Sequence, residues 1–205
     1  MSRPTKTKRT KAMDVLFIID ATGSMVNAIQ AAHDKAEDLA FELQLSNRTA
    51  LFNFGCICYR DPVADKRDQT QVFEFDPEIE NLANFLETVK ATGWGGDGPE
   101  DYVGALNESF KLKWRSGKKA IIWISDAPAH GERYCGKKNF QEEEPKLEPL
   151  VQRLASEQFY FVGLSINGGA DRTFQEMEKI YNKASGPSFK IESFKLEKGS
   201  EIQRI

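Results

Sequence analysis

The run VLFII at 15–19 stops at Asp20, and an unbroken apolar stretch of this kind predicts a strand buried on both faces. From residue 24 to 45 the period changes. Met25, Ile29, Ala32, Ala36, Leu39 and Leu43 recur at spacings of three and four, which predicts a long amphipathic helix. Ser24 stands where that helix starts and is expected to cap it. ALFNFGCICYRD (50–61) reads as a second strand ended by a charged turn, and QVFEF (71–75) alternates like a short edge strand. A helix from Glu78 to Lys90 follows, with Ile79, Leu82, Leu86 and Val89 on one side. The glycine-rich ATGWGGDGPED (91–101) is a loop, and Pro99 suits the first turn of a helix over 100–112.

KKAIIWISDAPAH (118–130) is another buried strand that ends at an aspartate, Asp126. The Lys- and Glu-rich stretch 132–149 reads as a surface excursion leading into a helix near 148–157. A strand over 158–166, a helix over 170–185 and a short last strand over 189–194 complete the chain. Strands alternate with helices almost throughout. The expectation is therefore an α/β fold: a doubly wound, mostly parallel central sheet flanked by helices, with one short antiparallel edge strand. One domain over 13–195 is expected, between a basic arm at 1–12 and a polar tail at 196–205.

With 205 residues, 40% of them hydrophobic and 14 of them Phe, the chain has ample material for one core. No stretch reaches the roughly 18–20 apolar residues of a membrane span, and MSRPTKTKRTK has no apolar segment to act as a signal, so a cytoplasmic protein is expected. A net charge of −3 gives no reason to expect nucleic acid as a partner. The three cysteines, Cys56, Cys58 and Cys135, lack the partner pairs of a zinc site and are expected to be reduced and idle.

In a doubly wound sheet, ligands bind beyond the carboxyl ends of the strands, near the point where strand order reverses. Asp20 and Asp126 lie at such ends. Thr22 and Ser24 leave the first strand on a tight turn, so Asp20, Thr22 and Ser24 can present three oxygens to one point. Hard oxygen donors in that arrangement suit Mg2+, which takes near-octahedral geometry at roughly 2.0–2.1 Å and usually keeps some water. Capping explains Ser24 alone; a metal explains all three.

DATGS after an apolar strand, the acidic loop GGDGPED and the second aspartate-ending strand ISDAPAH together resemble the metal-ion-dependent adhesion site of a von Willebrand factor type A domain. The likeness runs from Asp14 to Phe194. CYRD, ATGWGGDGPED and SDAPAHG, in this order, are most similar to the A domains of alpha-kinase-associated proteins. The middle loop departs from the commonest pattern, which has a threonine after a glycine pair, and is similar instead to the metal loop of integrin β subunits. The resemblance implies Asp20, Thr22 and Ser24 as direct ligands and Asp126 as a ligand either direct or through water. Glu100 is implied as the fourth ligand with Asp97 flanking it, or Asp97 takes the fourth place itself. It further implies Mg2+, with Ca2+ or Mn2+ as alternatives, and a partner protein whose acidic side chain meets the ion.

Three carboxylates, Asp20, Glu100 and Asp126, would bring more negative charge than the threonine pattern does. Tighter metal retention and weaker capture of an acidic ligand are expected. Trp94, beside the expected site, is a candidate partner contact. His130 has no serine or cysteine motif placed to use it and is expected to be structural or solvent-facing; His33 is expected at the surface or the core edge. An aspartyl phosphohydrolase would need a second aspartate two residues after Asp20, where Thr22 stands, so no enzyme is expected. A rigid structural or regulatory module with a non-essential metal site is the alternative.

Overall fold

The computed structural model describes residues 11–61, 70–92, 98–138, 141–196 and 202–204. Asp97, Trp94 and most of the basic arm lie outside them. Among the described residues seven strands form one sheet: β1 (Lys11–Asp20), β2 (Ala50–Tyr59), β3 (Thr70–Asp76), β4 (Lys118–Ser125), β5 (Phe159–Ile166), β6 (Ser188–Leu196) and β7 (Ile202–Arg204), in the order β3-β2-β1-β4-β5-β6-β7. The five strands from β2 to β6 are parallel, while β3 and β7 pair antiparallel at opposite edges. The sequence pattern predicts the first of these edges. β7 falls instead within the stretch read as a polar tail, where three residues without an apolar alternation carry no strand signal.

Among the described residues six α-helices cover the sheet: α1 (Ile29–Ser46), α2 (Ile79–Thr88), α3 (Tyr102–Ser109), α4 (Glu132–Cys135), α5 (Glu144–Ser156) and α6 (Asp171–Lys183). The double-faced burial of β1 divides its side chains between two cores. Leu16 and Ile18 join Trp123, Phe161 and the inner residues of α3, α5 and α6 on one face; Val15, Phe17 and Ile19 pack with α1 and α2 on the other. Small residues let the layers approach: α1 turns Ala32, Ala36 and Ala40 to the sheet, and a Cβ on Gly163 of β5 would stand 2.7 Å from the Phe174 ring of α6. Among the described residues no helix is long and apolar enough to cross a membrane.

Four local expectations are corrected. The long helix begins at Ile29 and not at 24: Gly23–Asn27 is a separate 3-10 turn, and Ser24 caps neither element. Periods of 3.0 and 3.6 differ too little over five residues to be separated in a sequence. α3 starts at Tyr102, after Pro99, because the Asp101 side chain accepts the Gly104 N–H at 2.6 Å and makes the cap there. The stretch 132–149 holds α4 and the first turns of α5, with Tyr134 and Leu147 in the core. His33 is buried, at 3% exposure, and desolvation lowers its pKa to about 4.

At the amino end of β1, the fully buried Asp14 ties the sheet to the α3–β4 connection. Its carboxylate accepts the Arg115 and Ser116 N–H groups at 2.6 and 2.7 Å, the Ser116 hydroxyl at 2.8 Å and the Asn53 amide at 2.7 Å. Burial alone would raise its pKa, but these donors outweigh it and the pKa is lowered. Its contribution is thus present above the unfolded carboxylate range and is lost as pH falls through the folded value. Asp14→Ala strands two backbone N–H groups, and we expect a loss of about 1–3 kcal/mol in urea unfolding, with Asp14→Asn, which keeps one acceptor, losing less.

Candidate functional site

The order of the strands reverses between β1 and β4, since the chain runs outward from β1 through β2 and β3 and then resumes on the other side of β1. Asp20 ends β1 and Ser125 ends β4, with Asp126 next in the chain. The reversal leaves a crevice between the loops that follow these strands. Asp20 and Asp126 are therefore set by topology on its two sides.

The β1 loop folds back on its own aspartate. Asp20 Oδ1 accepts the Thr22 N–H at 3.0 Å and the Thr22 hydroxyl at 2.7 Å. Thr22 Oγ1 lies 3.1 Å from Ser24 Oγ, and Ser24 Oγ donates to Asp126 Oδ1 at 3.0 Å. Asp20, Thr22, Ser24 and Asp126 thus form one connected set of oxygens. Asp20 and Thr22 are buried and Ser24 is exposed, so the set opens to solvent on the Ser24 side. Backbone bonds hold the loop, from Ala21 N–H to the Tyr59 carbonyl at 2.9 Å and from Thr92 N–H to the Ala21 carbonyl at 3.0 Å.

Glu100 reaches the same cluster from another loop. Its N–H donates to the Pro128 carbonyl at 2.9 Å, and it forms a parallel bridge with Ala129, which clamps the loop after the glycine stretch to the loop after β4. The side chain is only 4% exposed, and Oε2 has no hydrogen-bond partner among the described residues. Gly169 completes the backing: a Cβ there would lie 1.7 Å from the Asp126 carbonyl oxygen, so the loop after β5 can press on Asp126 only as glycine.

Crowded carboxylates raise one another's pKa. Burial, then the charge of Asp126, pushes Asp20 up to about 6. Burial, then the charges of Asp20 and Asp61, pushes Glu100 up to about 9. Asp126 is raised by burial, against the Ser24 bond. Beside this group, His130 Nε2 and Asp61 Oδ1 lie 3.5 Å apart, both nearly buried. His130 is accordingly structural and not solvent-facing.

Among the described residues no group of three or more His, Cys, Asp or Glu side chains is arranged to hold a metal ion. The assembled donors are two carboxylates joined through two hydroxyls, with the Glu100 carboxyl, whose Oε2 is unpartnered among the described residues, beside them. Hard oxygen donors of this kind, carrying excess negative charge and one unpartnered buried oxygen, fit a divalent cation that keeps some water. Five of the expected residues, Asp20, Thr22, Ser24, Glu100 and Asp126, share this end of the sheet. Asp97 and Trp94 are outside the described residues. Sequence reasoning missed the layer beneath, Tyr59, Tyr102, Trp123 and Ser125; a serine directly before Asp126 was its one visible trace.

An open α/β sheet with an acidic, hydroxyl-lined crevice at its switch point is the class of domain that this fold and site define. The chain belongs to the von Willebrand factor A domain family, whose model matches residues 14–159. It is similar to the alpha-protein kinase vwkA of Dictyostelium discoideum, with 35% identity over 129 residues, 62% of this chain but 20% of that protein. The chain thus corresponds in length to a small part of that relative. In structure it is similar to the pilus adhesin SpaC of Lactobacillus rhamnosus GG in its open conformation, with a TM-score of 0.64, 14% identity, and coverage of 90% of this chain and 28% of that one. Proximal thread matrix protein 1 of the mussel byssus gives a TM-score of 0.56 at 16% identity, covering 88% and 41%. These two likenesses are of fold.

Because the Glu100 pKa lies above its unfolded value, the metal-free native state holds a proton there that the unfolded chain releases between pH 4.5 and about 9. Native protein then binds more protons than unfolded protein, and stability falls as pH rises across that window. We expect Glu100→Gln to flatten this fall, so that the stability difference between variant and wild type widens in the variant's favour from pH 5 to pH 8. Urea unfolding in chelator across this range checks it; parallel pH profiles would refute it.

Proposed function

We propose that this domain binds a divalent cation, Mg2+ first, at the crevice between β1 and β4, and uses it to take an acidic side chain of a partner protein. The observation that carries this reading is the oxygen cluster of Asp20, Thr22, Ser24 and Asp126, with the buried, unpartnered Oε2 of Glu100 beside it. Asp20, Thr22 and Ser24 would hold the ion, with Glu100 at one side and Asp126 direct or through water. When bound, the ion supplies a positive charge and an exchangeable water position that a carboxylate can fill. The hydroxyl protons of Thr22 and Ser24, which now join the carboxylates, would turn away and leave their lone pairs as donors.

Support also comes from the family and from the names of its structural relatives. SpaC is a pilus adhesin and the byssus protein a thread matrix component, both consistent with an interaction module rather than an enzyme. The kinase relative suggests that a domain of this kind can accompany an alpha-kinase. Thr22, bonded to Asp20, stands where an aspartyl phosphohydrolase would need its acid–base residue, which favours binding over hydrolysis.

Calorimetric titration of Mg2+, Ca2+ and Mn2+ into metal-stripped protein is the direct test. We expect saturable binding that an Asp20→Ala/Ser24→Ala double variant loses; absence of binding by wild type would overturn the reading. Glu100→Thr removes a carboxylate from the site. Weaker Mg2+ binding is expected, and equal affinity would sink the assignment of Glu100.

A further inference from the structure

Beneath the site runs a chain of hydrogen bonds whose direction is set by donor counting. The Trp123 indole is a donor only, and its Nε1–H donates to Tyr59 Oη at 3.1 Å. Tyr59 in turn donates to Ser125 Oγ at 3.3 Å. The Ala127 N–H donates to the same Ser125 Oγ at 3.2 Å, so both acceptor sites of this hydroxyl are filled. One proton is left on it, with two oxygens in reach: Asp20 Oδ2 at 2.9 Å and the Ala127 carbonyl at 3.0 Å. The Ala127 carbonyl already accepts the Tyr102 hydroxyl at 2.9 Å. A carboxylate is also the stronger acceptor. The Ser125 proton therefore goes to Asp20.

All members of this relay are buried, and the rings are held by packing: Tyr59 sits edge-on to both Tyr102 and Trp123, and Tyr102 stacks on Trp123 at 4.4 Å. Asp20 Oδ1 is bonded by Thr22, within its own loop, whereas Oδ2 is bonded from a different strand. The bond from Ser125 is thus what fixes the carboxylate plane relative to β4 and Asp126. We infer that Ser125, backed by Tyr59 and Trp123, is a positioning residue for the cation site, orienting Asp20 Oδ1 toward the ion through the bond to Oδ2. This rests on the cation reading above. Partners that orient ligating groups typically contribute about 10- to 100-fold to metal affinity.

The test is Mg2+ calorimetry on metal-stripped wild type, Ser125→Ala, Ser125→Thr and Tyr59→Phe, with urea unfolding of each in chelator. Tyr59→Phe keeps the ring and its packing and removes only the hydroxyl, so it reports on the relay should Ser125→Ala fold poorly. We expect a loss of about 10- to 100-fold for Ser125→Ala, a smaller loss for Tyr59→Phe, and recovery in Ser125→Thr. The Trp123 indole N–H resonance should also shift on adding Mg2+ to wild type and respond less in Tyr59→Phe. A merely structural role would lower the urea midpoints and leave the affinities and the resonance response unchanged, and that result overturns the inference while the cation reading stands. Lack of saturable binding by wild type overturns both.

Discussion

The structure turns on the burial of the Asp20 carboxylate at the end of the central strand. A carboxylate withdrawn from water needs donors or a cation, and here the donors come from three places: the backbone and hydroxyl of Thr22 and the hydroxyl of Ser125. Meeting that need forces the β1 loop to turn back on itself. The turn puts Ser24 within reach of Asp126, and so the crevice closes around oxygens. The tight loop, the delayed start of α1 and the serine at the end of β4 follow from one buried charge.

Topology supplies the rest. Parallel strands with helices on both faces leave their carboxyl ends unsealed where the winding reverses, and the loops gathered there come from distant parts of the chain. The bridge between Glu100 and Ala129 and the pressure of Gly169 on the Asp126 carbonyl pin the loop before α3 and the loop after β5 against the loop after β4. The site is therefore carried on rigid strand ends and short clamps, and the glycine-rich stretch contributes its acidic end through Glu100.

Much of this was legible in the sequence because β1 and β4 bury both faces and read as unbroken apolar runs, each halted by an aspartate. α1 was legible from its period. β7 and α4 were not, since three and four residues are too short for a periodic signal. His33 escaped because a polar residue among alanines looks like a surface position until the helix is set against the sheet. The five donors and acceptors at the site were visible as residue types, but the relay beneath them was not. Its bonds join residues 64, 66 and 105 positions apart, and only the parallel register of β1, β2 and β4 brings them together.

Two aspartates on β1 make the functional argument by contrast. Asp14 and Asp20 lie an even number of residues apart, on the same face of the same strand, and both are fully buried. Asp14 meets four donors, and its pKa falls. Asp20 meets three donors, yet its pKa rises, because burial is reinforced by Asp126 across the crevice. A carboxylate needed only for the fold is compensated within the chain, as Asp14 is. The end of β1 sets Asp20 against Asp126 and Glu100, so that like charge raises the pKa of both Asp20 and Glu100, and it leaves Glu100 Oε2 without a partner among the described residues. Strained electrostatics of this kind concentrate at functional sites, and the divalent cation proposed above would answer the imbalance by its charge and its preference for oxygen.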